Sequence, residues 1–172
     1  MSATLYLMRH GIAAEPSPTM QDADRALTAE GVRKTTQVAI GLRAIGVAPD
    51  LILSSPLRRA EETARLAAGV LAPTVGVEIF PPLAAGATPA AEIVKALRIA
   101  RGARHVMLVG HQPDLGELAS LLLTGSASLA PLPFRKASVA AIDVGSLPPR
   151  AAGLLEWFLT PSQLRAIGSG RA

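Results

Sequence analysis

Histidine and arginine recur at one kind of place in this chain, directly after a short apolar run. Thr4-Leu5-Tyr6-Leu7-Met8 leads into Arg9, His10 and Gly11. Leu51-Ile52-Leu53 leads into Ser54-Ser55-Pro56-Leu57-Arg58-Arg59, and Val106-Met107-Leu108-Val109 into Gly110-His111-Gln112-Pro113. If the three runs are neighbouring parallel strands, their C-terminal ends share one edge of the sheet, and two histidines meet two or more arginines there. Such a pocket suits a phosphate ester or a phosphoramidate. A neutral imidazole can attack phosphorus in line with the leaving group, while arginines hold the non-bridging oxygens.

His10 is the candidate nucleophile, and the adjacent Arg9 would both bind the anion and depress the histidine pKa by like-charge repulsion. Arg58 and Arg59 stand side by side on a helix, about 100° apart, so only one readily faces the pocket. Their position near a helix N-terminus adds free N–H groups and the positive end of the macrodipole. The other arginine is expected to pair with Glu61, Glu62 or solvent. A protonated His111 is expected to hydrogen-bond the phosphate. His105 starts a strand at the end remote from this edge and reads as an exposed polar residue.

The elements that must position these residues alternate strand and amphipathic helix, the signature of βαβ units. Residues 12–27, with Pro16 and Pro18, read as a loop. Thr28 is placed to N-cap a helix running to about Ala44, with Val32, Val38, Ala39 and Leu42 on one face. After a strand over 50–53, Ser55-Pro56 reads as an N-cap and first helical proline, opening a helix to about Val70. A short strand over 75–79, a loop over 80–89 and a helix over 89–101 follow. The fourth strand spans 105–109, and Pro113 opens a helix with Leu115, Leu118, Leu121 and Leu122 toward the core. Residues 137–144 and 154–159 read as an antiparallel pair joined through 145–153. The expected fold is a single α/β domain over 1–172, a mainly parallel sheet with helices on both faces and an antiparallel strand near the C-terminus.

Composition narrows the chemistry. The 172 residues are 49% hydrophobic and include no cysteine, which excludes thiolate nucleophiles, disulfides and sulfur-ligated metals. The net charge of +4 is spread along a chain with one Trp, one Tyr and three Phe, a poor basis for stacking nucleic-acid bases. No His-Glu-x-x-His cluster, Walker-type loop or Gly-x-Gly-x-x-Gly element is present, so no metal and no cofactor is expected. No leader or membrane span is apparent in the sequence, and a soluble cytoplasmic protein without membrane partners is the expectation.

Leu7-Met8-Arg9-His10-Gly11 resembles the signature of the histidine phosphatase superfamily, also called phosphoglycerate-mutase-like. Leu27-Thr28-Ala29-Glu30-Gly31 is similar to the family's Leu-Thr-x-x-Gly segment, Ser55 to Thr63 to its Ser-Pro-x-x-Arg-Ala-x-Gln-Thr segment, and Gly110-His111 to its second histidine. The length, the run from Gly110 to Leu115 and the closing Trp157-Phe158-Leu159-Thr160-Pro161 look most like SixA-type phosphohistidine phosphatases. The resemblance implies His10 as phosphoryl acceptor, with Arg9, Arg59 and His111 completing the phosphate pocket, and Gly11 and Gln112 among the substrate-binding residues. It selects Arg59 over Arg58.

Two departures stand out. Glu62 replaces the usual Gln and is expected to pair with Arg59 or Arg65. The segment from Phe80 to Gly86 lacks the acidic residue many members carry there, with no carboxylate before Glu92. The implied substrate is phosphohistidine in a phosphoprotein. Small phosphate esters are the alternative, a non-catalytic phosphate-binding module is a third reading, and a mutase is disfavoured by the short chain.

Overall fold

The structure is a computed structural model describing residues 2–170. Its strands are β1 (Ala3–Arg9), β2 (Leu51–Ser54), β3 (Val77–Ile79), β4 (His105–Gly110), β5 (Val139–Val144) and β6 (Leu154–Leu159). Its α-helices are α1 (Ala29–Ala44), α2 (Arg58–Leu71), α3 (Ala90–Ala96), α4 (Asp114–Thr124) and α5 (Pro161–Gly168). The six strands form one sheet in the order β3-β2-β4-β1-β5-β6. β3, β2, β4 and β1 are mutually parallel, and β5 runs antiparallel to both β1 and β6. This is the expected α/β architecture.

Side chains alternate across the sheet, so each central strand feeds two cores. Tyr6, Met8, Ile52, Met107, Val109 and Val139 pack under α1, α2 and α5, whereas Leu5, Leu7, Leu53, Val106, Leu108 and Ile142 pack under α3 and α4. Burial on both faces explains why the strands read as unbroken apolar runs rather than polar-apolar alternation. α2 presents a stripe of alanines to the sheet, with Ala60, Ala64 and Ala67 fully buried.

Several boundaries move, each for a local reason. Ser55 does not cap α2, because its backbone N–H extends the sheet to the Val109 carbonyl at 2.9 Å. The helix starts at Arg58 with Leu57 at the cap position. On α1, Thr28 caps as expected, its hydroxyl accepting from the Gly31 N–H. Val32 is exposed, and Gly31, Thr35, Val38 and Leu42 form the buried stripe. The helix expected over 89–101 shortens to α3 and continues as a 3-10 turn over Leu97–Ala100. Leu121, expected in the core, is only partly buried beside Leu115, Leu118 and Leu122.

The helix α5 was not anticipated. Its signal lies in Thr160-Pro161-Ser162-Gln163, a capping box with proline at the first position: Thr160 accepts from the Gln163 N–H while Gln163 accepts from the Thr160 N–H. α5 docks on α1 where Gly41 leaves no side chain, since a Cβ there would lie 1.9 Å from the Leu164 carbonyl oxygen. No helix among the described residues is long and apolar enough to cross a membrane.

Candidate active site

Register brings the three loops together. Met8 and Ser54 both pair with Val109, and Arg9 pairs with Gly110, so β1, β2 and β4 end level. The ladder runs one bond further, with the His10 N–H donating to the Gly110 carbonyl at 3.0 Å. His10 and His111 therefore lie side by side, ring centroids 5.1 Å apart. Arg59 joins them from the first turn of α2, and all three side chains are buried.

A hydrogen bond to a carbonyl fixes the His10 tautomer. His10 Nδ1 lies 2.7 Å from the Gly11 carbonyl, which can only accept, so Nδ1 carries the proton and Nε2 keeps its lone pair. Burial, reinforced by Arg59, Arg9 and Lys136, pushes the His10 pKa down to about 4 against the opposing pull of the Gly11 bond. His10 is thus a neutral imidazole at neutral pH, the form a nucleophile needs.

His111 Nε2 lies 2.7 Å from the Ser55 hydroxyl, which itself accepts from the Leu57 N–H at 3.2 Å. With that amide proton directed at its oxygen, Ser55 can give its own proton to Nε2, and the proton of neutral His111 then sits on Nδ1. Burial, then the charges of His10 and Arg59, lower the His111 pKa to about 3. The protonated His111 expected from the sequence is therefore corrected to a neutral ring in the free protein. Nδ1–H is already a donor.

The arginines are held from behind. Arg9 Nη1 donates to the Phe134 carbonyl at 2.7 Å. Arg59 donates from Nη1 to the Asp22 carbonyl at 2.8 Å and from Nη2 to the Asp22 carboxylate at 3.0 Å. Arg9 Nε, Arg59 Nε and His111 Nδ1 are buried without a partner. Burial and the facing Arg59 also lower the Arg9 pKa, an electrostatic cost that a bound anion would relieve. Unpaired nitrogens and crowded cations suit a tetrahedral oxyanion.

Other expected residues take different places. Arg58 is exposed and pairs with Glu62 at 2.8 Å, while the other Glu62 oxygen accepts from the Leu27 N–H at 2.7 Å. Glu62 thus joins α2 to the loop before α1 and does not pair with Arg59 or Arg65; Arg65 pairs with Glu61. Gly11 spends its N–H on Thr63 at 3.0 Å, so its amide is not free for phosphate. Its missing side chain makes room for Thr35, whose Oγ1 would lie 2.3 Å from a Cβ at that position. Gln112 donates to the Leu132 carbonyl at 3.2 Å, and its buried Oε1 is an acceptor with no partner. An acceptor cannot hold a phosphate oxygen, so only its second N–H remains for that role. His105 is exposed and stacks on Tyr6 at 6.3 Å, at the far end of the sheet.

Asp22 is not among the residues the sequence singles out, and Thr63 enters there only as the last residue of the family segment. Asp22 stands 37 positions before Arg59 in a loop of scattered polar residues, where only its spacing to Arg25 hints at an ion pair. Hydrogen bonds from Arg25 and Arg59 hold its carboxyl below the ordinary range, so it is no proton donor at neutral pH. The loop after β3 does receive a carboxylate from elsewhere, Asp114, which accepts from the Gly86 N–H at 2.8 Å. Glu92 pairs with Lys95. Among the described residues, no group of three or more His, Asp or Glu is gathered to hold a metal ion.

The model of the histidine phosphatase superfamily (branch 1) matches residues 5–84, which span β1, the arginine-bearing α2 and the loop after β3. The chain belongs to the histidine phosphatase superfamily. It is 37% identical over 161 residues to an uncharacterized protein of Picosynechococcus sp., covering 92% of this chain and 95% of that protein. It is 28% identical over 166 residues to the phosphohistidine phosphatase SixA of Escherichia coli, covering 94% and 96% of the two chains. Among solved structures, a protein histidine phosphatase SixA complexed with tungstate matches with a TM-score of 0.81 at 25% identity, covering 94% of this chain and 99% of the other. A putative alpha-ribazole-5'-P phosphatase of Escherichia coli shares the fold with a TM-score of 0.73 at 20% identity, covering 92% and 97%. Membership of the superfamily supports a phosphatase activity.

Proposed function

We propose that this phosphatase hydrolyses phosphohistidine in a phosphoprotein through a covalent intermediate on His10. The observation that carries the reading is the set of buried nitrogens without a partner, Arg9 Nε, Arg59 Nε and His111 Nδ1, on side chains from the same sheet edge as His10, whose Nε2 keeps its lone pair. The similarity to SixA proteins, one of them complexed with tungstate, a tetrahedral oxyanion, supports it. In the first step His10 Nε2 forms a bond to phosphorus as the P–N bond to the substrate imidazole breaks. That imidazole takes a proton from water on its distal nitrogen and leaves neutral. In the second step water attacks phosphorus, the bond to His10 breaks, and inorganic phosphate departs with His10 restored. Arg9, Arg59 and His111 hold the three equatorial oxygens throughout, where charge builds in the transition state.

A phosphoramidate suits a site whose loop after β3 has no acidic residue of its own. An alkoxide leaves poorly unless a placed acid protonates it, a contribution of roughly 10² to 10⁴ in rate. A small phosphate ester is the second reading, favoured by the shared fold of the alpha-ribazole-5'-P phosphatase. Comparing kcat/KM for a phosphohistidine peptide and a phosphoserine peptide separates them. Greater efficiency on phosphoserine would overturn the phosphohistidine assignment. For the intermediate, labelled phosphate is expected on His10 in an acid-labile, alkali-stable bond, with labelling and turnover both lost in His10→Ala. Near wild-type turnover in that variant would remove His10 as the acceptor.

A further inference from the structure

A groove of about 390 Å³ opens beside the catalytic edge, lined by Gly11, Thr35 and Ala137 together with Lys34, Arg135, Lys136 and Arg165. It adjoins the segment that carries His10: Gly11 lines it, and the Ala137 N–H donates to the carbonyls of both Arg9 and His10 at 3.1 Å. Ala137 is the one non-glycine residue among those described with a left-handed backbone, φ 65°, at the turn that brings Lys136 up to β1. Such strain in a non-glycine residue costs on the order of 1 kcal/mol and persists only where the surroundings hold it.

Four cations thus gather where no carboxylate lines the wall. The acidic group nearby is Glu30, which pairs with Lys34 and also lies in the field of Arg165. The first turn of α5, Pro161 and Ser162, completes the lining and contributes the positive end of its helix. The phosphate pocket described above uses none of these side chains. No aromatic side chain lines the groove, so stacked bases are not its natural occupants.

We propose that this groove is a second anion subsite, which takes a carboxylate or phosphate carried by the substrate a few bonds from the transferred phosphoryl group. The inference rests on the phosphatase reading and narrows its substrates to those bearing two anionic groups. The second anion can come from a small phosphorylated acid or from an acidic residue flanking a phosphohistidine. In either case Lys136 and Arg165 act as point charges and forks on a group that does not react, so the effect falls on binding.

The test begins with ligands that need no turnover. Calorimetry on the wild-type protein should show 3-carboxyphenylphosphonate binding at least tenfold more tightly than phenylphosphonate. The margin should fall to less than threefold in Lys136→Gln/Arg165→Gln. Equal affinities in the wild type, or a margin that survives the double substitution, would overturn the subsite. The matching pair of aryl phosphates reports on the parent reading separately, since aryl esters leave without an acid. Absence of turnover on both, with the binding margin intact, would refute the phosphatase reading and keep the subsite. A Glu-flanked phosphohistidine peptide preferred over its Gln-flanked counterpart assigns the second anion to a protein, and a preference confined to the small ligands assigns it to a metabolite.

Discussion

Ser55→Ala isolates the control of a tautomer from the loss of a catalytic group. The Ser55 hydroxyl pairs with His111 Nε2 at 2.7 Å and accepts from the Leu57 N–H at 3.2 Å, and the residue is fully buried. Removing it leaves the buried His111 Nε2 and the part-buried Leu57 N–H unpaired, each costing about 1–3 kcal/mol, so unfolding stability should drop by about 2–6 kcal/mol. The His111 proton is then no longer held on Nδ1. With Nδ1 bare, a lone pair would meet a phosphate oxygen in place of a donor.

Deleting a preorganised donor outright, as in His111→Ala, should cost about 10²–10³ in kcat. Ser55 only biases the tautomer, by roughly the 1 kcal/mol of one hydrogen bond, so Ser55→Ala should lower kcat/KM by about fivefold to tenfold. Steady-state kinetics on an aryl phosphate, run on both single variants and the double variant, make a thermodynamic cycle. In the His111→Ala background the serine substitution should cost less than about twofold. An equal cost in both backgrounds, or no cost in the wild type, would refute the route through His111.

Arg59→Ala should lower kcat/KM by about 2–4 kcal/mol of transition-state stabilisation, whereas Arg58→Ala, which removes an exposed partner of Glu62, should stay within about twofold. Equal losses would reverse the assignment. Asp22→Ala should reduce kcat by about tenfold by releasing the Arg59 fork, yet change stability by less than about 1 kcal/mol because the carboxylate is largely exposed; an unchanged kcat would remove its positioning role. For pH, the two lowered histidine pKa values mean that the unfolded chain binds protons from pH 6.5 downward while the folded protein resists until about 4 for His10 and 3 for His111. Stability should therefore fall as pH drops through that window, and His10→Gln/His111→Gln should flatten the dependence in urea titrations. An unaltered slope would mean that neither ring is held neutral.

The strand ends and their chemistry were legible in the sequence because they rest on local signals. Apolar runs bounded by Gly, Pro and Ser marked β1, β2 and β4, and β6 fell on Leu154–Leu159 as read. The placement of His10 and His111 at one edge followed from parallel pairing alone. The choice of Arg59 over Arg58 needed the family motif, since two adjacent helical residues look alike until the packing of α2 buries one of them. The local signal for α5 is its capping box, Thr160 with Gln163.

What the tertiary structure decided was the pairing between segments distant in the chain. Whether Ser55 caps a helix or sets the proton on His111 depends on β4 lying beside β2, and a serine before a proline is equally suited to either. Asp22 reaches Arg59 across 37 positions, and Thr63 reaches Gly11 across 52. The basic groove draws one wall from α1, another from the residues before β5 and a third from α5. Helical and strand periods report which face of an element is buried. They carry no information on which buried polar atom meets which, because that is fixed only when separate elements dock.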